Sequence, residues 1–159
     1  MTSDQERAIE LFHAAYRAQM SGRLDEAIGL YRQSIETFPT AEAHTFLGWT
    51  YSFQGRLEEA IEECKRAIEV DPSFGNPYND IGAYLIDLGR HDEAIPWLER
   101  ALQAPRYESH HFPHFNLGRA WELKGESFKA MQCYRRALEL DPQYRIARQA
   151  IEDLRTRMN

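Results

Sequence analysis

Residues 47–72, LGWTYSFQGRLEEAIEECKRAIEVDP, decide the fold. Gly55 stands in the middle of this stretch, with the small residue Gly48 seven places before it. Ala60 lies five places after it, Ala67 seven beyond that, and Pro72 closes the segment. The arrangement recurs around Gly22, Gly89 and Gly125, so four glycines follow one another at intervals of 33, 34 and 36 residues. Ala15, Gly82 and Gly118 take the place of Gly48, while Ala27, Ala94 and Ala130 take that of Ala60. Ser34, Ala101 and Ala137 follow, and the closing prolines are Pro39, Pro142 and, one place early, Pro105. Self-similarity at a fixed period of this length is the mark of a stacked repeat.

Each position has a physical reading. A glycine between two amphipathic stretches takes a left-handed conformation at no Cβ cost and ends the first helix. Small residues on the facing helices let two backbones approach closely. Leu47, Ile81 and Leu117 on the first helices, with Ile28, Ile61, Ile95 and Met131 on the second, fill the remaining space. A proline cannot continue a helix and so closes each unit, whereas Pro96 falls early in its helix, where the lost hydrogen bond costs least. The expected fold is all-α, one domain over 1–159: four antiparallel helix pairs at about 8–40, 41–74, 75–110 and 111–144. A further helix over 143–157 follows, making nine in all. Ser3 and Glu6 have the spacing of a capping box that starts the first helix near residue 4. On the last helix Ile146, Ala150 or Ile151, Leu154 and Met158 face inward and Arg145, Arg148, Arg155 and Arg157 outward. That is the polar-backed cap a repeat array needs, so the chain reads as a complete array.

Composition bounds the function. At 43% hydrophobic and 12% aromatic, the 159 residues can build a core and are not disordered. Two cysteines, Cys64 and Cys133, do not make a disulfide framework; both sit at apolar positions of second helices, two repeats apart. The longest uncharged run, 43–55, is too short and too polar to span a bilayer, which takes about 20 apolar residues. The N-terminus is charged from the start and lacks the apolar segment of a signal peptide. These features point to the cytoplasm. A net charge of −6 argues against nucleic acid, whose binding rests on Lys and Arg neutralising phosphates.

With the period in hand, the residues resemble the tetratricopeptide repeat family. Leu47-Gly48, Tyr51, Ala60, Cys64, Ala67 and Pro72 follow its pattern. So do Ile81-Gly82, Leu85, Ala94, Leu98 and Ala101, and, most fully, Leu117-Gly118, Trp121, Ala130, Tyr134, Ala137 and Pro142. The first unit keeps Ala27, Tyr31 and Pro39 but carries Ala14-Ala15 and Ala18 on its first helix. The resemblance implies a superhelix whose first helices line a concave groove, and a module that binds another protein without catalysis or cofactor. Mapped onto this chain, the groove is lined by Phe12, His13, Tyr16 and Met20, then Thr45, Phe46, Trp49 and Phe53. Asn76, Asn79, Asp80, Ile86 and Asp87 follow, and finally Phe112, Phe115, Asn116, Arg119 and Glu122. Phe12, Tyr16, Phe46, Trp49 and Phe53 would supply apolar anchors, and Asn79, Asp80, Asn116 and Arg119 polar readout of a peptide or helix. The competing reading packs the aromatics between repeats and pairs Arg119 with Glu122 along its helix. Members that bind chaperone C-termini hold a carboxylate with Lys and Asn; the matching positions here are Phe12, Tyr16, Phe46, Asn76 and Asp80, so that basic clamp is missing.

Two other readings remain. Residues 1–110 carry a net charge of −9 and residues 111–159 a charge of +3, an asymmetry suited to head-to-tail self-assembly into a homo-oligomer, or merely to solvated outer faces. His110, His111 and His114, with Glu108, have the composition of a zinc site but not the usual ligand spacing; His110 and His111 fall in the two-residue insertion between the third and fourth units, a longer loop suited to touching a partner. No nucleotide-binding, zinc-protease or serine-hydrolase motif is present.

Overall fold

The computed structural model describes all residues, 1–159. Nine helices follow in order: α1 Ser3–Met20, α2 Leu24–Thr37, α3 Ala41–Phe53, α4 Leu57–Val70, α5 Asn76–Asp87, α6 His91–Gln103, α7 His111–Leu123, α8 Ser127–Leu140 and α9 Arg145–Met158. Each odd helix packs against the even helix that follows it, and neighbouring pairs stack, so the array is the expected all-α superhelix. Gly22, Gly55, Gly89 and Gly125 all have φ between 75° and 79°, the left-handed region in which other residues are strained.

The small residues do the work assigned to them. A Cβ on Gly48 would come within 2.9 Å of the Ala60 carbonyl oxygen, and one on Gly118 within 2.5 Å of the Tyr134 ring. Ala27, Ala60, Ala94 and Ala130 are fully buried opposite. A continuous apolar core runs from Ala15 to Ala120, and a second cluster of Ala130, Met131, Tyr134, Ile151 and Leu154 joins α8 to α9. In the repeat register Glu152 and Arg155 of α9 stand where Gly118 and Trp121 stand on α7, which leaves its outer face charged.

Four local expectations change; on the last helix Ile146 and Met158, expected to face inward, are exposed, and Ala147 joins Ile151 and Leu154 on the buried face. The first helix begins at Ser3 and is capped by Thr2, whose Oγ1 accepts from the Gln5 N–H at 3.1 Å while Gln5 Oε1 accepts from the Thr2 N–H at 2.7 Å. The last helix begins at Arg145, because residues 141–144 form a turn in which the Tyr144 N–H donates to the Asp141 carbonyl. The connection before α7 is not a free loop, and His111, expected in its two-residue insertion, is the first residue of α7. Arg106 pairs with the α4–α5 turn through two backbone bonds, Arg106 N–H to Ser73 O at 2.9 Å and Gly75 N–H to Arg106 O at 3.1 Å. Its guanidinium bonds Asp71 at 2.7 Å and lies over the Phe74 ring, and Tyr107 fills the space above Gly75.

Candidate functional site: a groove along the first helices

Each odd helix of the array leaves one stripe accessible. On α3 it is Glu42, Phe46, Trp49 and Phe53; on α5, Asn76, Asp80, Ala83 and Asp87; on α7, Phe112, Phe115, Arg119 and Glu122. Spacings of three and four residues put each set on one helical face. Because the units are in register and α1, α3, α5 and α7 touch in turn, the stripes align in ranks. By the repeat register, one rank is His13, Phe46, Asp80 and the buried Asn116; the next is Tyr16, Trp49, Ala83 and Arg119; a third is Met20, Phe53, Asp87 and, beside the α7 stripe, Leu123.

Across α1 and α3 the ranks form a ribbon of rings. Phe12 meets Phe46 at 5.2 Å between centroids, Tyr16 meets Phe46 at 6.0 Å, Phe46 meets Trp49 at 5.9 Å, and Trp49 meets Phe53 at 5.0 Å. The ribbon has a buried root and an exposed edge. Phe12 and Phe46 rest on the core, with Phe46 stacked on Tyr31, whereas Tyr16 and Phe53 are 41% and 57% exposed. Phe12 and Phe46 thus pack between repeats, as the competing reading has it, while Tyr16 and Phe53 keep accessible edges. Ile9 and Glu42, which the sequence did not single out, join Phe12, His13 and Phe46 around a depression of about 320 Å³ at the end of the ribbon.

Across α5 and α7 the expected polar readout is mostly spent within the chain. Asn79 and Asn116 are each 8% exposed, and the Asn116 amide donates to Asn79 Oδ1 at 3.0 Å. Arg119 donates to Asn116 Oδ1 at 3.1 Å and to Asp87 at 2.8 Å, not to Glu122. Glu122 instead accepts from the Tyr134 hydroxyl and pairs with Arg157 of α9. Thr45 and Ile86, expected at the surface, are buried; the Thr45 hydroxyl bonds the Ala41 carbonyl of its own helix. Asp80 differs from all of these. It is partly accessible, has no cation within ion-pair distance, and receives only a long 3.4 Å bond from Asn79. Burial, opposed only by the Asn79 hydrogen bond, pushes its pKa up from 3.8 to about 7.

The histidines do not converge. His110 lies against Tyr107, His111 faces Asp141 and Tyr144, and burial lowers the pKa of His114, helped by Arg136 and His110. No three ligating side chains meet around one point. Cys64 is wholly buried and its thiol is raised well above its usual pKa by desolvation; Cys133 is partly buried, and both thiols are free. On the opposite side, a charged depression of about 500 Å³ between α2, α3 and α4 holds Glu63 with His44 at 2.8 Å and with Arg66, and Glu59 with Arg56 at 2.6 Å. Its carboxylates are largely matched within the chain.

Models of the tetratricopeptide repeat match residues 41–74, 78–104 and 111–144. The chain is 30% identical over 104 residues to the TPR repeat-containing thioredoxin TTL4 of Arabidopsis thaliana, covering 65% of this chain and 15% of that protein. Among solved structures, PilF of Pseudomonas aeruginosa superposes with a TM-score of 0.90 at 21% identity, over 99% of this chain and 71% of that one. YrrB, described as a TPR protein with an unusual peptide-binding site, gives 0.74 at 18% identity over 91% and 74%. Three matched repeats, the turn glycines and the helix-pair stacking agree: the chain belongs to the tetratricopeptide repeat family of protein–protein interaction modules.

Proposed function

We propose that this chain is a non-enzymatic adaptor, acting in the cytoplasm, that holds an apolar peptide or helix of another protein in the groove of α1, α3, α5 and α7. The observation that carries the reading is the aromatic ribbon. Five rings in mutual contact end in an exposed edge, and a contiguous apolar surface of this kind marks an interaction site. Tyr16, Trp49 and Phe53 are the contact edge, while Phe12 and Phe46 form its floor. Asn79 and Asn116 set the spacing of α5 against α7, and Asp80 and Arg119 meet the partner's polar groups. Large rings with few rotatable bonds lose little entropy on binding, which is why such residues dominate hot spots.

The test is a paired pull-down from native lysate with the wild type and the Trp49→Ala/Phe53→Ala variant, after circular dichroism has established that the variant is folded. A protein retained by the wild type and lost by the folded variant supports the reading. Equal retention overturns it.

A second reading is self-assembly, favoured by the excess of acid over residues 1–110 and by Arg145 and Arg155 of α9, which make no ion pair. A head-to-tail contact of that type is heterologous and builds rings or filaments. Light scattering would detect it as a mass that rises with concentration and collapses in 0.5 M salt, following the ~3–5 Å screening length of such solutions.

A further inference from the structure

Resting on the groove reading, we infer that the partner segment carries a lysine or arginine beside its apolar residues, and that Asp80 is the group that receives it. The argument begins from charge. Every other charged side chain on the accessible stripes of α5 and α7 has a partner in the chain: Asp87 with Arg119, Glu122 with Tyr134 and Arg157. Asp80 has none, although it is held in surroundings that disfavour an isolated carboxylate. Its charge is felt by Cys64 of α4, Tyr84 of α5 and Tyr107 of the loop before α7, and none of these can neutralise it.

Two further observations specify the ligand. Tyr84, 6% exposed and one turn along from Asp80, turns its hydroxyl toward Ser52 of α3 and offers Asp80 no positive charge. The ionised Asp80 carboxylate is acceptor-only, so the group it can receive is an N–H donor and not an anion. Ala83, in the rank of Trp49 and Arg119, is the one position there without a long side chain. A lysine or arginine lays its methylenes along apolar surface while its head reaches a charge, and an indole face adds to that attraction. The occupant is therefore a basic side chain of a partner segment whose apolar residues sit on Phe46, Trp49 and Phe53.

A random 12-residue peptide library displayed on phage, selected on the immobilised full chain, tests this. The recovered peptides should be enriched at least twofold in Lys and Arg over the input, next to aromatic or aliphatic residues. A synthetic copy of the leading peptide should bind Asp80→Asn about tenfold more weakly and Asp80→Glu nearly as well as the wild type. Circular dichroism checks that both variants are folded. Enrichment in Asp or Glu, or equal binding by Asp80→Asn, overturns the inference. If Trp49→Ala weakens the peptide and Asp80→Asn does not, the groove reading stands and this inference falls. If Trp49→Ala changes nothing, or no peptide is enriched, the groove reading falls with it.

Discussion

The two halves of the groove are built on one repeated backbone and solve opposite problems. In α1 and α3 the ranked positions hold rings that rest on each other and on the core, yet end in an exposed edge. In α5 and α7 the positions in line with them are mostly polar, Asp80, Asp87, Asn116 and Arg119 beside Ala83 and Leu123, and the polar ones are bonded to one another until one carboxylate is left over. The aromatic half stays incomplete because too little apolar surface covers it. The polar half is complete apart from Asp80. A repeat thus fixes where a side chain points; whether that side chain is spent inside the molecule depends on its neighbours in the next repeat.

That contrast can be broken most severely from beneath. Gly48→Leu forces a side chain into the Ala60 carbonyl contact that brings α3 onto α4, and should cost about 3 kcal/mol, read as a fall in the urea midpoint. Because stability in a repeat array is largely a sum over neighbours, the aromatic half should open first, and hydrogen exchange should find α5 to α9 better protected than α1 to α4.

The next effect belongs to Asp80 and has a definite sign. With a folded pKa of about 7 against 3.8 unfolded, the folded state holds a proton between those values that the unfolded chain releases. Stability therefore falls as pH rises from about 4 to 7, and Asp80 is destabilising above that range. A shift of this size corresponds to ~4 kcal/mol at 1.36 kcal/mol per unit. Allowing for partial solvation and for the desolvation that an amide also suffers, Asp80→Asn should stabilise the fold by about 2 kcal/mol at pH 8. It should do nothing at pH 3, where both forms are neutral. Urea titrations at the two pH values decide it; equal gains at both would mean that Asp80 is not the uncompensated charge.

The smallest effect sharpens the aromatic side. Phe53→Ala removes an exposed ring and should change stability by less than ~0.5 kcal/mol, whereas Phe46→Ala, cut from the root of the ribbon, should cost about 2 kcal/mol or more. Similar losses from both would place the whole ribbon in the core.

The fold was legible because its determinants are local and repeated: a turn glycine, a small residue at a helix contact, a proline stop. The ribbon was legible for the same reason, since Trp49 and Phe53 are neighbours along one helix. The polar half was not. Asn79 and Asp80 are adjacent in sequence and both fall within a generous definition of the inner face. A turn of 100° nevertheless puts one in the seam with α7 and the other in the groove. The Asn79–Asn116 bond joins residues 37 apart, and Arg119 has Asp87 within reach only because the third and fourth repeats sit side by side. The Thr2 cap, one place before the expected Ser3, is the ordinary uncertainty of a helix end.

The fastening of Arg106 and Tyr107 onto the α4–α5 turn has a mechanical consequence. A solenoid behaves as a spring whose bending is shared among its junctions, and here two successive junctions are bolted together at one end of the α5–α6 pair. Arg106 even approaches Glu42 of α3, at 3.8 Å. A load or a bulky guest that widens the groove must be taken up at the unbolted joints, between α2 and α3 and between α8 and α9. The aromatic half is thus the compliant jaw, and the half that contains Asp80 is the anvil against which it closes.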